Sequence, residues 1–176
     1  MTIAPHKPRF PVLSLVVAGL LASAPFGTQA ADLAAPEGDV LLTVTGAITN
    51  TNADNAARFD RKMLEALPAV TIRTSTIWTE GVQTFTGVQL IDLAAAVGTD
   101  ADELRAMAVN DYAVTIPGED WVDGGPIIAY LNNGAPMSLR DKGPLWVIYP
   151  YDSKPAYQSE VAYSRSIWQL DRIEME

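Results

Sequence analysis

The segment Arg73-Thr74-Ser75-Thr76-Ile77-Trp78 puts three hydroxyls between a guanidinium and an indole, directly after an alternating strand-like stretch. A hydroxyl becomes a catalytic nucleophile only beside a base. This chain has no cysteine, and its one histidine is His6. Because His6 falls in a leader, the mature domain cannot build a Ser-His-Asp or Cys-His centre, nor a zinc site from imidazole or thiolate. Other polar residues sit where ligand contacts commonly fall. Asp111 lies between two strand-like segments, and Tyr151 and Asp152 leave a buried strand for a long loop that Arg165 and Ser166 close. Glu119, Asp120 and Asp123 surround Trp121, but their spacing is not that of an EF-hand, and Pro117-Gly118 marks a solvated turn.

The 176 residues suffice for one domain with a proper core. Residues 1–30 read as a secretory signal peptide. His6, Lys7 and Arg9 give a positive start, Val12 to Phe26 an apolar run, and Thr28-Gln29-Ala30 a small-residue cleavage site. The apolar run is short for a membrane span and contains Pro25. Export to the periplasm or beyond is expected. Cleavage removes Lys7 and Arg9 and no acid, so ten basic residues face 21 acidic ones, net −11. Such a surface repels nucleic acid and anionic lipid.

Ala31 to Asp39 reads as a flexible lead-in. Val40 to Gly46 is a first strand, and Asp60 caps a helix that Pro68 stops after Leu67. A strand from Ala69 to Thr74 follows. Gln83 to Thr86 is strand-like and Gly87 breaks it. Val88, Leu90, Ile91, Leu93, Ala94 and Val97 form the buried face of a helix ending at Gly98. Leu104 to Asn110, Tyr112 to Pro117, Ile127 to Asn132 and Leu145 to Pro150 are strands, with a turn at Asn133-Gly134. A loop holding Tyr151, Asp152, Tyr157 and Tyr163 precedes a last strand from Ser166 to Met175. No repeat or linker interrupts residues 40–176. A single α+β domain, mostly mixed sheet with a few short helices, is expected.

Several short segments occur in a telling order. They are Phe85-Thr86-Gly87-Val88-Gln89-Leu90-Ile91-Asp92-Leu93, Asn110-Asp111-Tyr112 with Ile116-Pro117, and Ala129-Tyr130-Leu131-Asn132-Asn133-Gly134-Ala135-Pro136-Met137. Gly143-Pro144-Leu145 and Ile167-Trp168-Gln169-Leu170-Asp171-Arg172-Ile173 follow. Together, from Val40 to Met175, they resemble the sulfite-oxidase fold of the oxidoreductase molybdopterin-binding domain family. Where that family reads Thr-Ile-x-Cys, this chain reads Thr71-Ile72-Arg73-Thr74. A thiolate is a soft anionic ligand suited to molybdenum, whereas an unactivated threonine is neutral and a poor one. The lysine that helps hold the cofactor phosphate in those enzymes is Ile167 here. The chain is therefore most similar to small, cysteine-less secreted members that bind free pterins and signal to membrane-bound cyclic-di-GMP enzymes.

That resemblance implies a pterin without molybdenum, no catalysis and a membrane-anchored signalling partner. The alternative it allows is a molybdopterin oxidoreductase with a non-cysteine metal site. A pterin needs an aromatic face for stacking and polar groups for its amide edge. Trp78 is expected as a wall of the site, or else as a staple for its own loop. Thr74 and Ser75 either contact the ligand or satisfy loop backbone. Asp111 is the preferred carboxylate, with an ordinary turn aspartate as the competing reading. Tyr151 and Asp152 are further contacts, Arg73 a neighbour of the former metal position, and Arg165 and Ser166 the phosphate-side loop. Trp168 is expected in the core.

Overall fold

The structure is a computed structural model that describes Met1 and residues 33–176. Met1 apart, the expected leader lies outside the described residues. The chain forms β1 (Val40–Gly46), β2 (Ala57–Asp60), α1 (Arg61–Ala66), β3 (Ala69–Ser75), β4 (Val82–Gln89), α2 (Leu90–Val97), β5 (Glu103–Ala108) and β6 (Ala113–Pro117). It continues with β7 (Ile127–Asn132), β8 (Ala135–Pro136), β9 (Trp146–Ile148), α3 (Glu160–Arg165) and β10 (Leu170–Met175). One sheet runs β2-β1-β10-β5-β6, parallel only between β1 and β10. The other runs β3-β4-β7-β8, with β9 also on β7, and is antiparallel throughout. This is the mostly-β α+β domain expected.

Alternation explains the core. Leu42 and Val44 of β1, Leu104 and Ala106 of β5, and Ile173 and Met175 of β10 are buried at every second position. In the other sheet β7 and β9 are buried on both faces, so Ile127 to Tyr130 and Trp146 to Ile148 read as unbroken apolar runs. Each large side chain so enclosed contributes roughly 1.5–3 kcal/mol over an exposed one.

Turn and cap chemistry fixes the boundaries. Asp60 accepts from Met63 N at 2.9 Å and starts α1. Asn133 (φ 49°) and Gly134 (φ 78°) make the left-handed pair of a tight hairpin between β7 and β8. Gly98 (φ 64°) ends α2 as expected.

Several boundaries differ from expectation. Gly87 does not break its strand. β4 runs on to Gln89 with an irregularity at Thr86/Gly87, because β7 passes so close that a Cβ would collide with the Ile128 carbonyl. Helix α2 consequently starts at Leu90. Strand β2 and helix α3 were both hidden in polar segments. Ser159 caps α3 by accepting from Ala162 N at 3.2 Å. The last strand begins at Leu170 rather than Ser166, since α3 and a left-handed Gln169 (φ 53°) precede it.

Residues Leu33 to Asp39, expected as a mobile lead-in, make specific contacts. Leu33 packs against the core, and Glu37 N and Gly38 N donate to Asp60 Oδ2 at 2.7 and 2.9 Å. No helix among the described residues is long and apolar enough to cross a membrane.

Candidate ligand-binding site

Between β3 and β4 the chain makes a tight loop held by its own hydroxyls. Thr76 Oγ1 lies 2.7 Å from Thr79 Oγ1 and accepts from Trp78 N at 3.1 Å. The loop directs Trp78 into an aromatic cluster. Its ring meets Trp146, Tyr151, Tyr163 and Trp168 edge-to-face, with centroids 5.7, 6.3, 5.8 and 5.8 Å away. Beside this cluster opens a cavity of about 350 Å³. Trp78, Tyr163 and Trp168 wall it together with Tyr112, while Asn110, Ser164, Ser166 and Gln169 supply its polar atoms. No lining residue carries a charge, but the Lys142 ammonium lies 5.5 Å from the centroid of the Trp168 ring. Size and lining suit a small flat ligand.

Beneath the wall a hydrogen-bond chain holds the rings still. Ser166 is buried and donates its hydroxyl to Ala162 O at 2.7 Å, so Tyr151, 2.6 Å away, is the donor to Ser166 Oγ. Burial pushes the Tyr151 phenol up to about 12, which keeps that proton in place at neutral pH. Trp146 Nε1 donates to Ser166 O at 3.1 Å.

Thr74, which the sequence resemblance sets at the family's cysteine, is fully buried. Its hydroxyl donates to Ser75 O at 3.2 Å and accepts from Asp152 N at 3.1 Å. The Asp152 carboxylate accepts from Ser75 Oγ and Ser75 N, both at 2.6 Å, and these bonds hold its carboxyl below the usual range. Thr74, Ser75 and Asp152 thus form a clamp between β3 and the loop after β9. They satisfy one another rather than face the cavity.

Of the nine residues expected at a site, the structure brings two, Trp78 and Ser166, to the cavity wall. Tyr151 supports that wall from behind. Asp111 does not reach it. Asp111 sits in a left-handed turn (φ 66°), largely exposed, and pairs with Arg172 at 2.8 Å. Arg165 turns to the other side of α3. There its Nη1 donates to Asp120 Oδ2 at 2.8 Å, and Tyr149 OH donates to the same oxygen at 2.7 Å. These three line a separate cavity of about 160 Å³. Burial drives the Tyr149 phenol far above its ordinary range. Arg73 is exposed on β3, opposite Thr84 of β4.

Trp168, expected in the core, is 39% exposed and forms a wall, because the strand begins only after it. Sequence reasoning also missed Asn110, Tyr112, Tyr163 and Gln169 as wall residues. The available signals were slight: an aromatic on the strand flank after a turn, and one glutamine interrupting apolar alternation.

With its lone hydroxyl bonded twice within the protein, Thr74 does not fit as a molybdenum ligand, and no group of three or more His, Cys, Asp or Glu among the described residues is placed to hold a metal ion. The ring-sized aromatic cavity suits a flat ring such as the pteridine of a molybdenum cofactor.

No protein-family model matches the chain, and no curated protein matches it. Among solved structures it is similar to the sulfane dehydrogenase SoxCD from Paracoccus pantotrophus, with a TM-score of 0.57 at 17% identity. The alignment covers 76% of this chain and 37% of that one, so the domain spans little more than a third of its neighbour. This likeness supports the sulfite-oxidase-like α+β fold and nothing finer.

Proposed function

We propose that the domain is a non-catalytic pterin receptor, exported to the periplasm, whose bound state is read by a membrane-anchored signalling protein. One observation carries the reading: a cavity of ring size is walled by Trp78, Tyr163 and Trp168, while the threonine near the end of β3 is buried with its hydroxyl engaged by protein. Stacking a pteridine on Trp78, Tyr163 or Trp168 supplies affinity of roughly 1–3 kcal/mol per ring contact. The serine hydroxyls on the wall are committed to backbone carbonyls and no carboxylate or imidazole lines it, which supports binding without chemistry. The expected leader accords with export, and a cyclic-di-GMP enzyme in the membrane is the proposed partner.

Gentle purification from the native compartment, followed by mass spectrometry of released small molecules and metal analysis, tests this. A pterin without molybdenum is the expected result. Stoichiometric molybdenum with electron-transfer activity would instead establish an oxidoreductase. Deleting the gene should change cyclic-di-GMP levels in a pterin-dependent way, and unchanged levels would remove the signalling half.

A further inference from the structure

Resting on the pterin reading, we infer that Gln169 is the acceptor and Asn110 the donor with which the cavity reads the ligand's amide edge. Gln169 is held in a strained backbone state, φ 53°, that a residue with a side chain seldom adopts. Three bonds fix it there. Its amide N donates to Lys142 O at 3.1 Å, its carbonyl accepts from Val109 N at 3.0 Å, and its side-chain Nε2 donates to Leu139 O at 2.7 Å. Turning the side-chain amide over would set Oε1 against the Leu139 carbonyl, oxygen on oxygen. Its orientation is therefore determined, and Oε1 is left as an acceptor with no protein partner among the described residues.

Asn110 is fixed in the complementary sense. Its Oδ1 accepts from Tyr112 N at 3.2 Å, so Nδ2 is its remaining group, again without a protein partner among the described residues. The Val109–Gln169 backbone bond lays the two segments side by side, and both side chains line the cavity. The serine hydroxyls on the same wall already donate inward, Ser164 to Val161 O at 2.8 Å and Ser166 to Ala162 O at 2.7 Å. An acceptor and a donor on one wall match a heterocycle that presents a ring N–H beside a carbonyl. Leaving either group dry and unpaired costs affinity, and this is how a neutral pocket discriminates between isosteric rings.

The test compares two probes on the full protein by fluorescence titration: pterin, and 3-methylpterin, the same bicycle with the ring N–H of its amide edge blocked by a methyl group. The wild type should prefer pterin by roughly tenfold, the effect of one good hydrogen bond. Gln169→Gly suits the left-handed backbone and should keep an unchanged far-ultraviolet spectrum. It should bind both probes with the preference gone. Asn110→Asp keeps the bond from Tyr112 N but removes the donor, so it should weaken both probes alike. Equal wild-type binding of the two, or a preference that survives Gln169→Gly, overturns the assignment of Gln169. Undiminished binding by Asn110→Asp overturns that of Asn110. If neither probe binds the wild type, the pterin reading itself falls and takes this inference with it.

Discussion

Asp152 takes two hydrogen bonds from Ser75, one from the hydroxyl and one from the backbone amide, each 2.6 Å long. The pair ties the end of β3 to the loop that follows β9, and so sets where the Trp78 loop begins. Because these bonds favour the ionised form, the Asp152 carboxyl is lowered in the folded protein. A lowered carboxyl contributes stability above the unfolded group's titration range and loses it as pH falls through the folded value. Asp152→Asn should therefore be less stable than wild type at neutral pH, with the gap closing in acid. Denaturant midpoints across pH check this, and a gap independent of pH would show that the charge contributes nothing.

Trp78 and Asp111 make opposite predictions. Trp78→Ala removes a cavity wall and should weaken pterin binding roughly ten- to a hundredfold, whereas Trp78→Phe should recover most of the loss. Asp111→Ala removes a partner of Arg172 on the surface and should leave affinity unchanged. Titration by tryptophan quenching reads both. A large loss in Asp111→Ala alone would relocate the site.

Thr74 bears on whether its hydroxyl is structural. Thr74→Val keeps the volume but strips the acceptor from Asp152 N, leaving a part-buried donor unpaired. That should cost about 1–3 kcal/mol, visible as a lower urea midpoint with unaltered slope. No loss would mean that the hydroxyl is idle in the folded protein and available for a ligand.

The fold was legible in sequence wherever local chemistry decides it. Asp60, Gly98 and the Asn133-Gly134 pair each mark a boundary through their own backbone preferences, and the structure keeps all three. Gly87 misled because a glycine signals permissive backbone without saying whether the chain turns there or another strand passes close by. Helix α3 was hidden because a six-residue helix has too few apolar positions to show a period. The site was less legible than the fold. Trp168 was expected in the core although alternation with Leu170 and Ile173 did not fix its face, and the strand that would have buried it starts two residues later. Asp111 and Arg172 lie 61 positions apart, and nothing local predicts that they pair. Trp78 was found because it follows a strand end that the resemblance singled out, whereas the orientation of Gln169 is set only by three tertiary hydrogen bonds.

Arg165 gives the last separation of structure from ligand binding. Its guanidinium and the Tyr149 hydroxyl share Asp120 Oδ2, and all three groups are largely withdrawn from water. Arg165→Ala leaves the Asp120 carboxylate with only a neutral donor in a poorly solvated place, and should destabilise the domain by about 1–3 kcal/mol. Tyr149→Phe should cost less, about 1 kcal/mol, because the ion pair survives it. Since Asp120 and Arg165 line the smaller cavity across α3, neither change should alter pterin affinity in protein that remains folded. Thermal melts with and without pterin separate the two effects: both variants should melt lower than wild type yet show the same ligand-induced rise. A rise lost in Arg165→Ala but kept in Tyr149→Phe would place a charged ligand group at Arg165, and with it a phosphorylated pterin in the protein.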